Sequence, residues 1–255
     1  MLLAIDVGNS KIAFGIFEAD RLKVSLSMST DIHRMEDEYA SLLFNLLPHH
    51  EVATSDIREA IMCSVVPPLV HVFQELCQRY LEIPLLVVGP GTRTGVRISL
   101  DNPREVGPDR IVNAAAAYRF YGGPAIVIDM GTATTFDVIS KEGDYLGGAI
   151  APGMEMATEA LYTRTARLPR IELARPPNAI GKNTVSAMQS GVIFGYTGLV
   201  EGLVARLEQE LGEKARVIAT GSYADVIAGE TNVIETVNRH LTLLGLQLVH
   251  ELNKQ

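Results

Sequence analysis

Tryptophan is absent from the 255 residues, and cysteine occurs only twice, as Cys63 and Cys77. Two distant cysteines with no CxxC or Cys/His cluster exclude a disulfide framework and a structural zinc site. They suit a reducing compartment, so a cytoplasmic location is expected. Basic residues are also scarce: 22 Lys and Arg face 30 Asp and Glu, for a formal net charge of −8. A surface that tracks phosphate backbones needs a basic footprint, so nucleic acid is not an expected partner. No segment reaches the ~18 uninterrupted apolar residues of a membrane span. The opening Met1-Leu2-Leu3-Ala4-Ile5-Asp6 carries an acid where a signal peptide carries bases. No membrane association is expected. The six histidines show no metal-ligand spacing, and His49 and His50 after Pro48 read as a polar loop.

What is present is 47% hydrophobic and 20% charged, enough for two domains of roughly 100–150 residues, each with its own core. An internal repeat organises them. The run Leu3-Ala-Ile-Asp6-Val-Gly8-Asn-Ser-Lys-Ile-Ala-Phe-Gly-Ile16 is echoed by Ile126-Val-Ile-Asp129-Met-Gly131-Thr-Ala-Thr-Thr-Phe-Asp-Val-Ile139. Each copy reads as an apolar strand ending in Asp-x-Gly, a small polar turn and a second strand. A charged turn, Glu18–Arg21 or Lys141–Asp144, then leads into a third strand. Alternating helices and strands follow in both halves. In the first they fall near 36–47, 60–66, 69–80 and 85–88; in the second, after 183, at 216–220 and near 241–252. The pattern predicts two related α/β domains, 1–122 and 123–255, facing each other across a cleft and joined at the turn signal Gly122-Gly123-Pro124.

Three stretches carry candidate chemistry. In Asp6-Val7-Gly8-Asn9-Ser10-Lys11, a glycine-centred turn between strands exposes N–H groups that can cradle phosphate oxygens. Lys11 either neutralises phosphate or points to solvent. Asp6, at a strand end, can hold Mg²⁺ through water. Alone this string reads better as a hairpin turn; the second loop, Asp129-Met130-Gly131-Thr132, makes a nucleotide clamp the better reading. In Asp101-Asn-Pro-Arg-Glu-Val-Gly107-Pro108-Asp109-Arg110, Asp109 is placed either to cap the following helix or to act as a general base. Arg110 beside it suits an anion. In Gly181-Lys-Asn183-Thr184, polar groups open a long helix over 185–211, where they cap it or meet a polar ligand. Gly191, Gly195, Gly198 and Gly202 interrupt that helix. Each costs about 1 kcal/mol relative to Ala, and close approach of another helix, from the same chain or a second subunit, would compensate. Met154 and Met156 are expected to pack rather than bind.

Together these motifs, with Gly147-Gly-Ala-Ile-Ala-Pro-Gly153 and Leu241-Thr-Leu-Leu-Gly-Leu246, resemble type III pantothenate kinases. These belong to the superfamily of acetate and sugar kinases, heat-shock ATPases and actin. The resemblance runs through the whole chain and implies two duplicated ribonuclease-H-like domains with an ATP cleft between them. It implies phosphorylation of pantothenate by ATP with Mg²⁺, the first step of coenzyme A synthesis, in a homodimer. By position, it assigns ATP phosphates to Asp6, Val7, Gly8, Asn9, Ser10, Lys11, Ile12 and Ala13, and a further ATP contact to Thr132. Pantothenate falls to Leu100, Gly107, Pro108, Asp109, Arg110 and Thr184, with Asp109 as proton acceptor. Asp129 corresponds to the ligand of a monovalent cation, potassium or ammonium. Leu100 stands where the family often has Tyr, which keeps an apolar wall and loses a hydroxyl. Two other readings remain: a non-catalytic accessory regulator of the same fold, and a related kinase acting on a sugar or acetate.

Overall fold

The computed structural model describes residues 1–254. The chain opens with an antiparallel meander of β1 (Leu2–Val7), β2 (Lys11–Glu18) and β3 (Arg21–Ser29). Strand β1 reads Leu-Leu-Ala-Ile-Asp-Val and is buried almost throughout, as a strand covered on both faces must be. Helix α1 (Glu36–Leu46) leads to β4 (Glu59–Ser64), parallel to β1. Helix α2 (Pro67–Leu76) begins on prolines, whose missing N–H would be unpaired there in any case, and β5 (Leu85–Val87) follows. The sheet order is β3-β2-β1-β4-β5.

After α3 (Pro108–Tyr121), the second meander is β6 (Ala125–Met130), β7 (Ala133–Ile139) and β8 (Tyr145–Pro152). Helices α4 (Met154–Arg164) and α5 (Thr184–Leu211) precede β9 (Arg216–Gly221). Then come α6 (Ala224–Ala228), β10 (Thr236–Val237) and α7 (Leu241–Asn253). The order β8-β7-β6-β9-β10 repeats that of the first sheet strand for strand. Register confirms the duplication. Asp6 pairs with Ala13 and Cys63, and Asp129 pairs with Thr135 and Thr220. The meander bulges lie at matching places too, between Ile16 and Phe17 and between Val138 and Ile139. The second loop is one residue shorter, since Val7 pairs with Ile12 but Met130 with Thr134.

The contacts define two compact units. One comprises Met1–Val96, Asp101–Ala116 and the segment from Leu241 on; the other, Arg97–Leu100 and Ala117–His240. This division departs from halves of 1–122 and 123–255 for two physical reasons. Helix α7 buries Leu243, Leu246 and Val249 with Leu2, Phe17, Ile61 and Val88 of the first unit. Residues 97–100 run beside β8, where Ser99 N–H donates to Tyr145 O (2.9 Å) and Tyr145 N–H to Arg97 O (2.8 Å). The Gly122 turn does end α3: its N–H donates to Tyr118 O at 2.9 Å and its φ is +78°, a left-handed stop that glycine adopts without strain. Each unit has its own core. Leu3, Ile5 and Phe14 pack with Tyr39 and Phe73 in the first, and Ile126, Ile128 and Phe136 with Ile193 and Val200 in the second.

Candidate active site

In the first unit, β1 delivers Asp6 to the lip of the Gly8–Ser10 turn. Gly8 N–H closes the turn on Lys11 O (3.0 Å), and Thr30 ties it down by donating its hydroxyl to Gly8 O (2.6 Å). Asn9, Ser10 and Lys11 are exposed, Gly8 and Ala13 are partly so, and Val7 and Ile12 turn their side chains into the core. Whatever those two offer a ligand is therefore backbone. The Asp6 carboxylate accepts a hydrogen bond from Cys63 Sγ across the β1–β4 pair (3.3 Å). Burial and the like charge of Asp109 push its pKa up to about 6, against the opposing pull of the Cys63 thiol and Lys11. Burial and the two carboxylates hold the Cys63 thiol well above its usual range, so it remains a donor.

Asp109 lies in the first turn of α3, where Gly107 O accepts the opening helical bonds from Arg110 N (3.2 Å) and Ile111 N (3.4 Å). Burial raises the Asp109 pKa, and the backbone amides of Arg110 and Asp109 moderate the rise. The carboxylate thus does sit at the helix start, as a cap would, yet its Oδ1 is enclosed and has no hydrogen-bond partner. A buried carboxylate oxygen with nothing to accept from is costly unless something arrives to occupy it. Within the first unit, the charge of Asp109 helps to raise the pKa of Asp6.

The second unit repeats the first loop with changes. Gly131 N–H closes on Ala133 O (3.1 Å), and Gly153 N–H donates to Thr132 O (3.1 Å). A side chain at Gly153 would overlap the Gly131 and Thr132 carbonyls. Tyr196 of α5 anchors this crossing by donating to Pro152 O (2.8 Å) and Gly153 O (3.1 Å). Asp129 and Thr132 are both partly exposed at the loop. Leu100 packs its Cδ2 toward the bare face of Gly147. At the start of α5, Asn183 Oδ1 accepts from Ser186 N (2.9 Å) and does the capping, which leaves Thr184 exposed in the first turn. Asp6, Cys63, Asp109 and Arg110 therefore belong to one unit; Leu100, Asp129, Thr132 and Thr184 belong to the other.

Three residues of these surroundings escaped the sequence reading. They are Cys63, Tyr196, and the fully buried Asp137, which accepts from Tyr145 OH (2.7 Å) and Thr135 Oγ1 (3.2 Å). Met154 packs in the core as expected, but Met156 is exposed. Among the described residues no group of three or more His, Cys, Asp or Glu is placed to hold a metal ion. A single strand-end carboxylate does fit Mg²⁺, which keeps most of its waters and takes phosphate oxygens as ligands.

The raised pKa of Asp6 makes a stability prediction. Between pH 3.8 and about 6 the folded chain binds more protons at Asp6 than the unfolded chain, so stability falls as pH rises through that window. Asp6→Asn is expected to stabilise the metal-free protein above pH 7, by roughly 3 kcal/mol at most, at ~1.4 kcal/mol per pH unit. The gain should vanish at pH 4. Urea melts of both proteins at the two pH values check it, and a gain equal at both would assign the effect to packing.

A meander-led α/β unit, duplicated, with a glycine turn and strand-end carboxylate in each copy and, at a helix start, a carboxylate with one unpartnered oxygen, is an arrangement suited to phosphoryl transfer. The solved structures it resembles agree in fold. The inorganic polyphosphate/ATP-glucomannokinase of Arthrobacter sp. strain KM superposes with a TM-score of 0.51 at 13% identity, covering 99% of each chain. A conserved Baf family transcriptional activator from Campylobacter jejuni gives 0.59 at 19% identity over 98% of each chain. The sequence model of type III pantothenate kinase matches residues 2–206. A type III pantothenate kinase of Dehalococcoides mccartyi strain CBDB1 is 52% identical over 99% of this chain and 96% of its own length. The chain belongs to the type III pantothenate kinase family.

Proposed function

We propose that this chain transfers the γ-phosphoryl group of ATP to the primary hydroxyl of pantothenate, opening coenzyme A synthesis, with Asp109 as proton acceptor. Family membership sets the reaction. The observation that carries the residue assignment is the enclosed, unpartnered Oδ1 of Asp109. In this reading the pantothenate hydroxyl donates to that oxygen and is thereby oriented toward the γ-phosphorus. As the new O–P bond forms and the β–γ bridge breaks, the hydroxyl proton passes to Asp109 and ADP leaves. Raised by burial, the Asp109 pKa lies closer to neutrality than an ordinary carboxylate's and better matches that transfer.

Transfer through a loose transition state depends on positioning and charge stabilisation. The Asp6–Ala13 loop holds phosphates chiefly through backbone N–H groups, with Asn9, Ser10 and Lys11 adding side-chain donors. Asp6 would hold Mg²⁺, and the metal would supply neutralisation of phosphate charge. Arg110 receives the substrate carboxylate or the transferring group. On the second unit Thr132 contacts ATP, Thr184 and Leu100 contact pantothenate, and Asp129 binds a monovalent cation. The protein acts as a homodimer in the cytoplasm.

A coupled ADP-release assay with pantothenate, hexoses and acetate tests the reading. Turnover is expected with pantothenate alone, and turnover with a hexose or acetate in its place would overturn the substrate assignment. In the same assay, replacing potassium by a large organic cation is expected to lower the rate at least tenfold, an effect of about 1.4 kcal/mol on the barrier. Equal rates in both buffers would remove the cation from Asp129.

A further inference from the structure

Position 107 lacks a side chain for a reason that the backbone does not supply. Its φ lies outside the left-handed region, so an L residue would fit the conformation. A Cβ there would meet Asp109 Cγ at 3.5 Å and Val65 Cγ1 at 3.7 Å, both ordinary contacts, but it would collide with Asp109 Oδ1. The space that a helix-capping side chain fills at such a position is occupied by the carboxylate of the residue two places on. We infer that Gly107 is a positioning residue: its missing side chain is what allows the Asp109 carboxylate to fold back over the start of α3 with Oδ1 enclosed and unpartnered. The inference rests on Asp109 as proton acceptor and says how that acceptor is aimed.

The collision is with the far end of a short, rotatable side chain. Gly107→Ala should therefore be relieved by rotation of Asp109 rather than by unfolding. The rotation takes the carboxylate off its mark by about an ångström or more, a displacement that can cost roughly 100-fold in rate. A double-mutant cycle separates this role from direct substrate contact by residue 107. Gly107→Ala is expected to lower kcat about 100-fold in the wild-type background, with KM for pantothenate changed less than threefold. In an Asp109→Ala background there is no carboxylate to displace, and the same substitution should change kcat less than threefold. If Gly107→Ala unfolds the protein and Asp109→Ala restores folding, the collision is equally demonstrated. An equal loss in both backgrounds, or unfolding in both, overturns the inference. Failure of the base assignment is visible separately, as near-normal turnover by Asp109→Ala alone.

Discussion

Asp109→Asn is expected to fold normally and to lose roughly 10²–10⁴-fold in kcat, the usual span for removing a general base. The amide is the same size as the carboxylate, so the space beside Gly107 stays filled. Its oxygen can still face the Arg110 and Asp109 amides that moderate the carboxylate's pKa. Because burial disfavours the ionised form, a neutral side chain removes a cost at neutral pH, and thermal stability should hold or rise. Loss of rate without loss of stability separates a base from a cap, whose removal typically costs ~1 kcal/mol of stability and leaves chemistry alone. Kinetics and thermal melts on one preparation give the answer. Near-normal kcat with pantothenate would reduce Asp109 to a cap and move the base elsewhere.

The second large effect concerns assembly. Gly191, Gly195 and Gly198 are exposed on α5, and a Cβ at any of them meets nothing within 4 Å. No neighbour in the described chain therefore compensates the ~1 kcal/mol that each glycine costs a helix relative to Ala. With Ala187 and Thr184, which are also exposed, they line one flank at spacings of three and four. A second copy of the helix at close range would recover dispersion contacts along that flank. Gly195→Leu with Gly198→Leu should have opposite effects on the two states. The isolated subunit gains helix propensity and loses nothing, while a subunit interface along this flank would be overfilled. Sedimentation is expected to show at least a 100-fold weaker dimer, with KM for pantothenate rising if Thr184 lies near the seam. A double variant that stays dimeric with unchanged KM would sink the proposal.

How much of this was legible beforehand depended on whether the signal was local. The two Asp-x-Gly meanders could be read because alternation and turn residues lie within a dozen positions of one another, and the structure has both loops on matching strands. A cap at Asn183 or Thr184 was legible for the same reason, and the structure gives it to Asn183. Cys63 was not. Its nearness to Asp6 comes from the register of parallel strands β1 and β4, separated by an entire helix and loop. Helix α4 was missed because its pattern is weak: Met154 and Thr158 are buried, but Leu161 and Tyr162 are exposed. The glycines of α5 raised the expectation of a close approach without saying to what; the empty space around Gly191, Gly195 and Gly198 removes packing within the described residues as its explanation at those three.

The return of α7 to the first unit has a consequence for synthesis. Leu243, Leu246 and Val249 complete a cluster that includes Leu2 and Ala4, and Gly245 lets the helix lie directly on the Val112 carbonyl, one turn along from Asp109. Those residues leave the ribosome after the whole second unit, at ≈ 5–20 residues per second. The first unit, though translated first, is therefore the last to close. Until α7 is released, the face of the central strands that carries Leu2, Ala4 and Ile61 lacks Leu243, Leu246 and Val249, and the nascent chain carries an unfinished first unit ahead of a second unit that can already fold. Folding cannot proceed vectorially, one repeat and then the next, in a protein whose architecture is two repeats.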